Sequence, residues 1–216
     1  LGCFHCATDG TCVRQDGFDA LQRKIRGADS IVYAFSIKDH SMGNLFKVYD
    51  DRQFCNGHRA VTAGKPTAYL IDGEFSLEEN LRVILEARSQ MGGNFLAGIA
   101  TNEGVGADSP GTCADKLAYA LTHRMKVNEN FYGVGGGKIF RDLVYEMQGM
   151  MQADHRFYKK HGLYDFPQKK LATILFMKGI GVLLKLPLTK EKVQTNITEG
   201  MLMPYEKIIA GNPLKE

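Results

Sequence analysis

The chain has 216 residues, 44% of them apolar and 24% charged, enough for one well-buried domain with an appendage or at most two small ones. The net charge is only +3 and the basic residues are interspersed with acids, which excludes the clustered basic face of a nucleic-acid-binding protein. The opening Leu1-Gly2-Cys3-Phe4-His5-Cys6 lacks the pattern of a secretory signal, and Lys178, Lys185 and Pro187 interrupt the longest apolar run, Leu171 to Leu188. The expectation is a cytoplasmic protein without a membrane span.

Three of the five cysteines lie in the first twelve residues, as Cys3-x2-Cys6-x5-Cys12. Thiolates at this spacing can converge on an iron–sulfur cluster, one ligand short of the usual four, or pack as small apolar side chains. Phe18, Leu21 and Ile25 then recur at helical spacing before Ala28-Asp29. Ser30 to Ser36 (SIVYAFS) is a short, nearly continuous apolar run, the pattern of a parallel strand buried on both faces. A helix carrying Met42, Leu45, Phe46 and Tyr49 follows, ending at Asp50-Asp51-Arg52, where a basic residue complements the helix dipole.

A second strand is predicted at Pro66 to Asp72 (PTAYLID), and a helix with Leu77, Leu81, Ile84 and Leu85 after it, with Ser76 as N-cap and Glu79 as capping-box partner. A third strand, Asn94 to Thr101 (NFLAGIAT), precedes a helix marked by Leu117, Ala118 and Leu121. Such alternation implies βαβ units with right-handed crossovers around a parallel sheet. Composition shifts at Gly133-Val134-Gly135-Gly136-Gly137, read as a flexible approach to a helix with Ile139, Leu143, Val144, Met147 and Met151. Although Gly135-Gly136-Gly137-Lys138 superficially resembles a phosphate loop, Ile139 stands where that motif needs a hydroxyl. Beyond it the chain reads as helical to Glu216, with turns at Gly162 and Pro187. The expected division is 1–132, an α/β domain, and 133–216, a helical extension.

Ligands of open parallel sheets bind beyond the carboxyl ends of the strands. Two loops occupy that rim: Ser36-Ile37-Lys38-Asp39-His40-Ser41-Met42-Gly43-Asn44 and Thr101-Asn102-Glu103-Gly104. The first offers hydroxyl, amide and backbone N–H groups for a flavin edge or an anion, or else is a polar turn with Asp39 or Ser41 as N-cap. His155, Tyr158, His161 and Asp165 lie close in sequence and read as surface or packing residues rather than a metal site.

The order of these features resembles the flavodoxin-like NAD(P)H-dependent FMN oxidoreductases, including their iron–sulfur flavoprotein branch. The resemblance is carried by Gly10-Thr11-Cys12-Val13 with Asp16, then Ala28-Asp29-Ser30-Ile31-Val32, Leu45-Phe46-Lys47-Val48-Tyr49-Asp50-Asp51-Arg52 and Gly64-Lys65-Pro66, and it covers residues 1 to about 125. Gly136-Gly137-Lys138-Ile139-Phe140-Arg141-Asp142 and Tyr164-Asp165-Phe166-Pro167-Gln168-Lys169 look like segments of one subgroup. The resemblance implies a flavodoxin-like three-layer sandwich whose first strands and phosphate loop are missing from this sequence. Its implied activity is hydride transfer from NAD(P)H through bound FMN to a small-molecule acceptor or redox protein. Ser36, Ile37, Lys38, Asp39, His40, Ser41, Met42, Gly43, Asn44, Thr101, Asn102 and Glu103 would line the flavin site. Cys3, Cys6 and Cys12 would be ligands of a 4Fe–4S cluster, with a fourth cysteine expected immediately before Leu1. Where the family has Pro-x-Tyr, this chain has Ile37-Lys38-Asp39, so an aromatic beside the flavin is absent. The alternatives are an iron–sulfur flavoprotein in electron transfer and a cofactor-free interaction domain. A homo-oligomer is expected from the family, with Met147 to Met151 as either an interface candidate or, equally, part of the core.

Overall fold

The computed structural model describes residues 5–56, 58–103, 108–127, 130–165 and 170–211. The chain divides into two compact units, Cys12–Arg141 and Leu1–Thr11 with Asp142–Glu216.

The first unit is α/β. Three strands, β1 (Ile31–Ser36), β2 (Thr67–Asp72) and β3 (Leu96–Thr101), form a parallel sheet in the order β1-β2-β3. All three coincide with the predicted apolar runs to within two residues. The intervening helices are α3 (Gly43–Arg52) and α4 (Glu79–Met91); α2 (Phe18–Gly27) precedes the sheet and α5 (Pro110–Thr122) follows it. Because the strands advance in one direction, right-handed crossovers place both connecting helices on the same face. Met42, Phe46, Leu81 and Leu85 accordingly pack with Tyr33, Phe35, Tyr69 and Ile71 in one apolar cluster. Helix α5 covers the opposite face, where Cys113 and Leu117 meet Ala68 and Ala100.

Polar groups fix the ends of these helices. Arg52 donates to both carboxylate oxygens of Asp16, at 2.7 and 2.9 Å, and its guanidinium lies 4.3 Å from the centre of the Phe18 ring. The Arg52 guanidinium holds the Asp16 carboxyl down at about 2. Asp50 accepts from Arg88 at 2.5 Å, tying α3 to α4, while Asp51 pairs with Lys47. Each member of Asp50-Asp51-Arg52 therefore has a separate structural partner.

Several local expectations change. Helix α3 starts after Met42, so neither Asp39 nor Ser41 caps it. Leu45 is exposed, and the buried stripe runs through Met42 and Phe46 instead. Ser76 sits in a short 3-10 turn (Phe75–Leu77) and α4 begins at Glu79, with Glu78 as its N-cap. The glycines at 133, 135, 136 and 137 are not a flexible approach: they lie inside α6 (Phe131–Glu146). A methyl group on Gly136 would come within 3.0 Å of three atoms of Met91, and one on Gly133 within 3.2 Å of the Gln90 carbonyl oxygen. Two small residues at i, i+3 thus let α6 approach the end of α4.

The second unit is helical among its described residues: α1 (His5–Asp9), the last turn of α6, α7 (Gln152–Lys160), α8 (Leu171–Leu183) and α9 (Pro187–Gly211). Its core is Val144, Met151 and Tyr158, with Leu143, Met147, Phe157 and Tyr164 around them. Helix α8 seats through glycines, since a Cβ on Gly149 would overlap the Met177 carbonyl and one on Gly181 the Gly149 carbonyl. Arg156 donates to the Thr8 carbonyl at 2.8 Å, joining α7 to α1.

Candidate functional site

The carboxyl ends of the strands carry one polar residue each on the face that α5 partly covers. Register pairs Ser36 with Asp72, and Asn102 follows β3 immediately. Asp72 is the centre of a row: it accepts from Ser36 Oγ at 3.0 Å and from Asn102 Nδ2 at 2.6 Å. Asn102 Oδ1 in turn accepts the Gly73 N–H at 3.0 Å. Gly73 has φ +129°, a conformation that side chains rarely adopt, and a Cβ there would press on Ile37 at 3.1 Å.

Glu103 is turned away from this row. Its carboxylate accepts from Ser76 Oγ at 2.6 Å and from the Ser76 N–H, and the Ser76 hydroxyl is the main reason its pKa is lowered. Ser76, expected to cap a helix, therefore anchors the Thr101–Glu103 loop.

Beside the row lies an open cleft of about 580 Å³ whose floor is apolar: Ala34, Leu70 and Ala100 from the three strands, with Pro110 from α5. Its volume is within the range of small-molecule sites, about 300–1,000 Å³. Of the predicted binding residues, Ser36, Thr101 and Asn102 line this cleft. Ile37 and Met42 instead belong to the core of the other face. Lys38 and Ser41 exchange two backbone hydrogen bonds of 2.9 Å, and Asp39 and His40 both have positive φ. That is a tight turn of the primed type, with aspartate and histidine tolerating the left-handed region. His40 bonds Glu78 at 2.7 Å, which raises its pKa, and Gly43 (φ +69°) turns the chain into α3. The Lys38–Asn44 segment thus forms a tethered turn outside the cleft lining.

Asp72 was not among the predicted site residues, although a carboxylate ending an otherwise apolar buried run is a readable signal. A second cavity, about 200 Å³, is lined by Asn56, Arg59, Thr67, Arg88, Ser89 and Asn94 among others. Its amides bond inward: Asn56 Nδ2 donates to Gln22 and Gln53, each at 2.9 Å, and Arg26 donates to Asn56 at 2.6 Å. We read that network as structural.

Cys3, like Gly104, lies outside the described residues. Cys6 is in α1, and Cys12 accepts from Arg52 Nη2 at 3.7 Å; the two fall in different units. Among the described residues no three His, Cys, Asp or Glu side chains come together as a metal site. His155 meets the Tyr164 hydroxyl at 2.9 Å and the exposed His161 the Phe157 carbonyl at 2.8 Å, as expected of a packing and a surface residue. No described helix is long and apolar enough to cross a membrane. Compared with family models, curated proteins and solved structures, the chain matches none.

Proposed function

We propose that the chain is a flavodoxin-like, NAD(P)H-dependent FMN oxidoreductase and that its cleft receives the flavin ring. The observation that supports this most is the Ser36–Asp72–Asn102 row beside an apolar floor at the carboxyl ends of parallel strands. A flat ring needs an apolar wall and a polar edge, and the cleft has both. A phosphate needs converging N–H groups or cations, whereas the charged group lining the cleft is the Asp72 carboxylate. The described residues therefore fit the ring and not the phosphate. When bound, a flavin supplies hydride acceptance and onward electron transfer, which the side chains here need not perform. The chain's own contribution is orientation: Asp72 fixes the Ser36 hydroxyl and the Asn102 amide, and Ala34 and Ala100 keep the floor low.

The test is a titration of the full chain with riboflavin and with FMN, followed by flavin fluorescence. Ring-only recognition gives weak binding of both, within about threefold of one another, and Asn102→Asp lowers it about tenfold by setting a second charge against Asp72. FMN binding much tighter than riboflavin binding would reveal a phosphate site and overturn the ring-only assignment. Absence of binding for both, with the fold intact by circular dichroism, would sink the flavin reading.

A further inference from the structure

Helix α8 is apolar over most of its circumference, with Lys178 its one charged residue, and only part of that apolar surface is used. Ile174 and Gly181, with Leu184 just beyond the helix, are buried, but Leu171 and Leu175 are each 67% exposed, Phe176 64% and Val182 60%. At about 100° per residue, these four and Leu183 fall on one arc opposite the buried seam. A helix that is apolar over most of its surface is normally enclosed, so a contiguous exposed stripe of this kind marks an interaction surface.

The charges around the stripe say what it meets. From 166 to 190 the sequence contains no aspartate or glutamate, while Lys178, Lys185 and Lys190 are exposed. Lys178 lies at the border of the stripe, about 20° from Leu171 on the helical wheel. Lys170 is paired with Glu146 at 2.7 Å and is not counted among these charges. A second copy of the chain would bring lysine against lysine across a two-fold axis, which opposes association. An apolar stripe whose own helix and following turn carry no charges but Lys178 and Lys185 is complementary to an anionic bilayer surface, with leucine and phenylalanine entering the acyl boundary and lysines at the headgroups.

We infer that α8 is an interfacial helix that binds the surface of anionic lipid membranes. It lies on the membrane and does not cross it; at thirteen residues it is too short to span. The experiment is flotation of the full chain with vesicles of phosphatidylcholine alone and of phosphatidylcholine with 30% phosphatidylserine. Binding is expected with the anionic vesicles and is lost at high salt. Lys178→Gln with Lys185→Gln is expected to weaken it about 25-fold, because each lysine near an anionic surface contributes about 1 kcal/mol. Leu175→Glu with Phe176→Glu is expected to abolish it while leaving the circular dichroism spectrum unchanged, since both side chains are exposed. No flotation with either vesicle overturns the inference. So does a dimer in sedimentation analysis that the Leu175→Glu, Phe176→Glu chain fails to form, which would assign the stripe to self-association.

Discussion

The two faces of the sheet are built on opposite plans. The face under α3 and α4 is filled with large side chains: Tyr33, Phe35, Phe46, Tyr69, Phe75, Leu81 and Leu85 interlock, and Tyr33 stacks on Tyr69 with ring centres 5.3 Å apart. The face under α5 carries the small residues Ala34, Ala68, Gly98 and Ala100 beside Val32 and Leu70, and among the described residues it is covered only toward β3. Toward β1 it stays open, with Val32 48% and Leu70 38% exposed. The first face provides stability. The second keeps a floor free beside the polar rim, so the site lies where the sheet is least covered.

The sharpest way to break this contrast is to remove equal volume from each face. Leu85 is fully buried, and Leu85→Ala is expected to cost about 2–5 kcal/mol of unfolding free energy, from lost transfer and the cavity left behind. Leu70→Ala on the open face is expected to cost about 1 kcal/mol or less, because part of that side chain is already in water. Urea denaturation of both variants checks the pair. Equal losses would mean that the open face is covered in solution by something these residues do not show.

A smaller effect tests how closely α5 must approach. A Cβ on Gly98 would lie 2.6 Å from Asp108 Oδ2 and 3.3 Å from Cys113 Sγ, and Asp108 is held by Lys116 at 2.6 and 2.8 Å. Gly98→Ala must shift this clamp or lift α5, a change that costs about 1–3 kcal/mol in packed interiors. Cys113 reports on it directly, since burial raises the pKa of its thiol and shields it from reagents. Faster labelling of Cys113 by a thiol reagent in Gly98→Ala is the expected outcome. Unchanged labelling with unchanged stability would show that small residues on this face are not needed for α5 to dock.

The same contrast explains what could be read from sequence. The strands are legible because each reads as a short apolar run, and the end of each strand marks the rim; the expected burial on both faces fails for β1, where Val32 is 48% exposed on the face that α5 does not reach. Stripe details are less legible. Leu45 has helical spacing but points to water, while Gln22 is buried because Asn56, thirty-four residues later, meets its amide. The glycines of α6 look like a loop until Met91 is known to face Gly136. Ser76 carries the local signature of a cap, yet Glu103 claims its hydroxyl and backbone N–H. For Gln22, Gly136 and Ser76 a partner distant in sequence decides, and local pattern carries no information about it.

The mildest perturbation addresses the rim loop, which belongs to neither face. His40 is exposed, and its bond to Glu78 raises its pKa above the ordinary value. A raised pKa means that the protonated form gains from the fold. The tether is therefore fully present below the unfolded-state value of about 6.5 and is lost as pH rises through the higher folded value. Because the His40 side chain is 90% exposed, the effect of the pair on global stability is small. Its effect on the Lys38–Ser41 turn should be visible, since Asp39 and His40 occupy left-handed conformations that the tether helps to hold. Histidine NMR titration is expected to place His40 above 6.5, and Glu78→Gln to bring it back toward that value. Amide exchange at Ser41, slow at pH 6, should then accelerate above the His40 midpoint beyond the ordinary base-catalysed rate. If Ser41 exchange follows the ordinary rate across the titration, the two backbone bonds hold the turn unaided, and the rim is as rigid as the closed face beneath it.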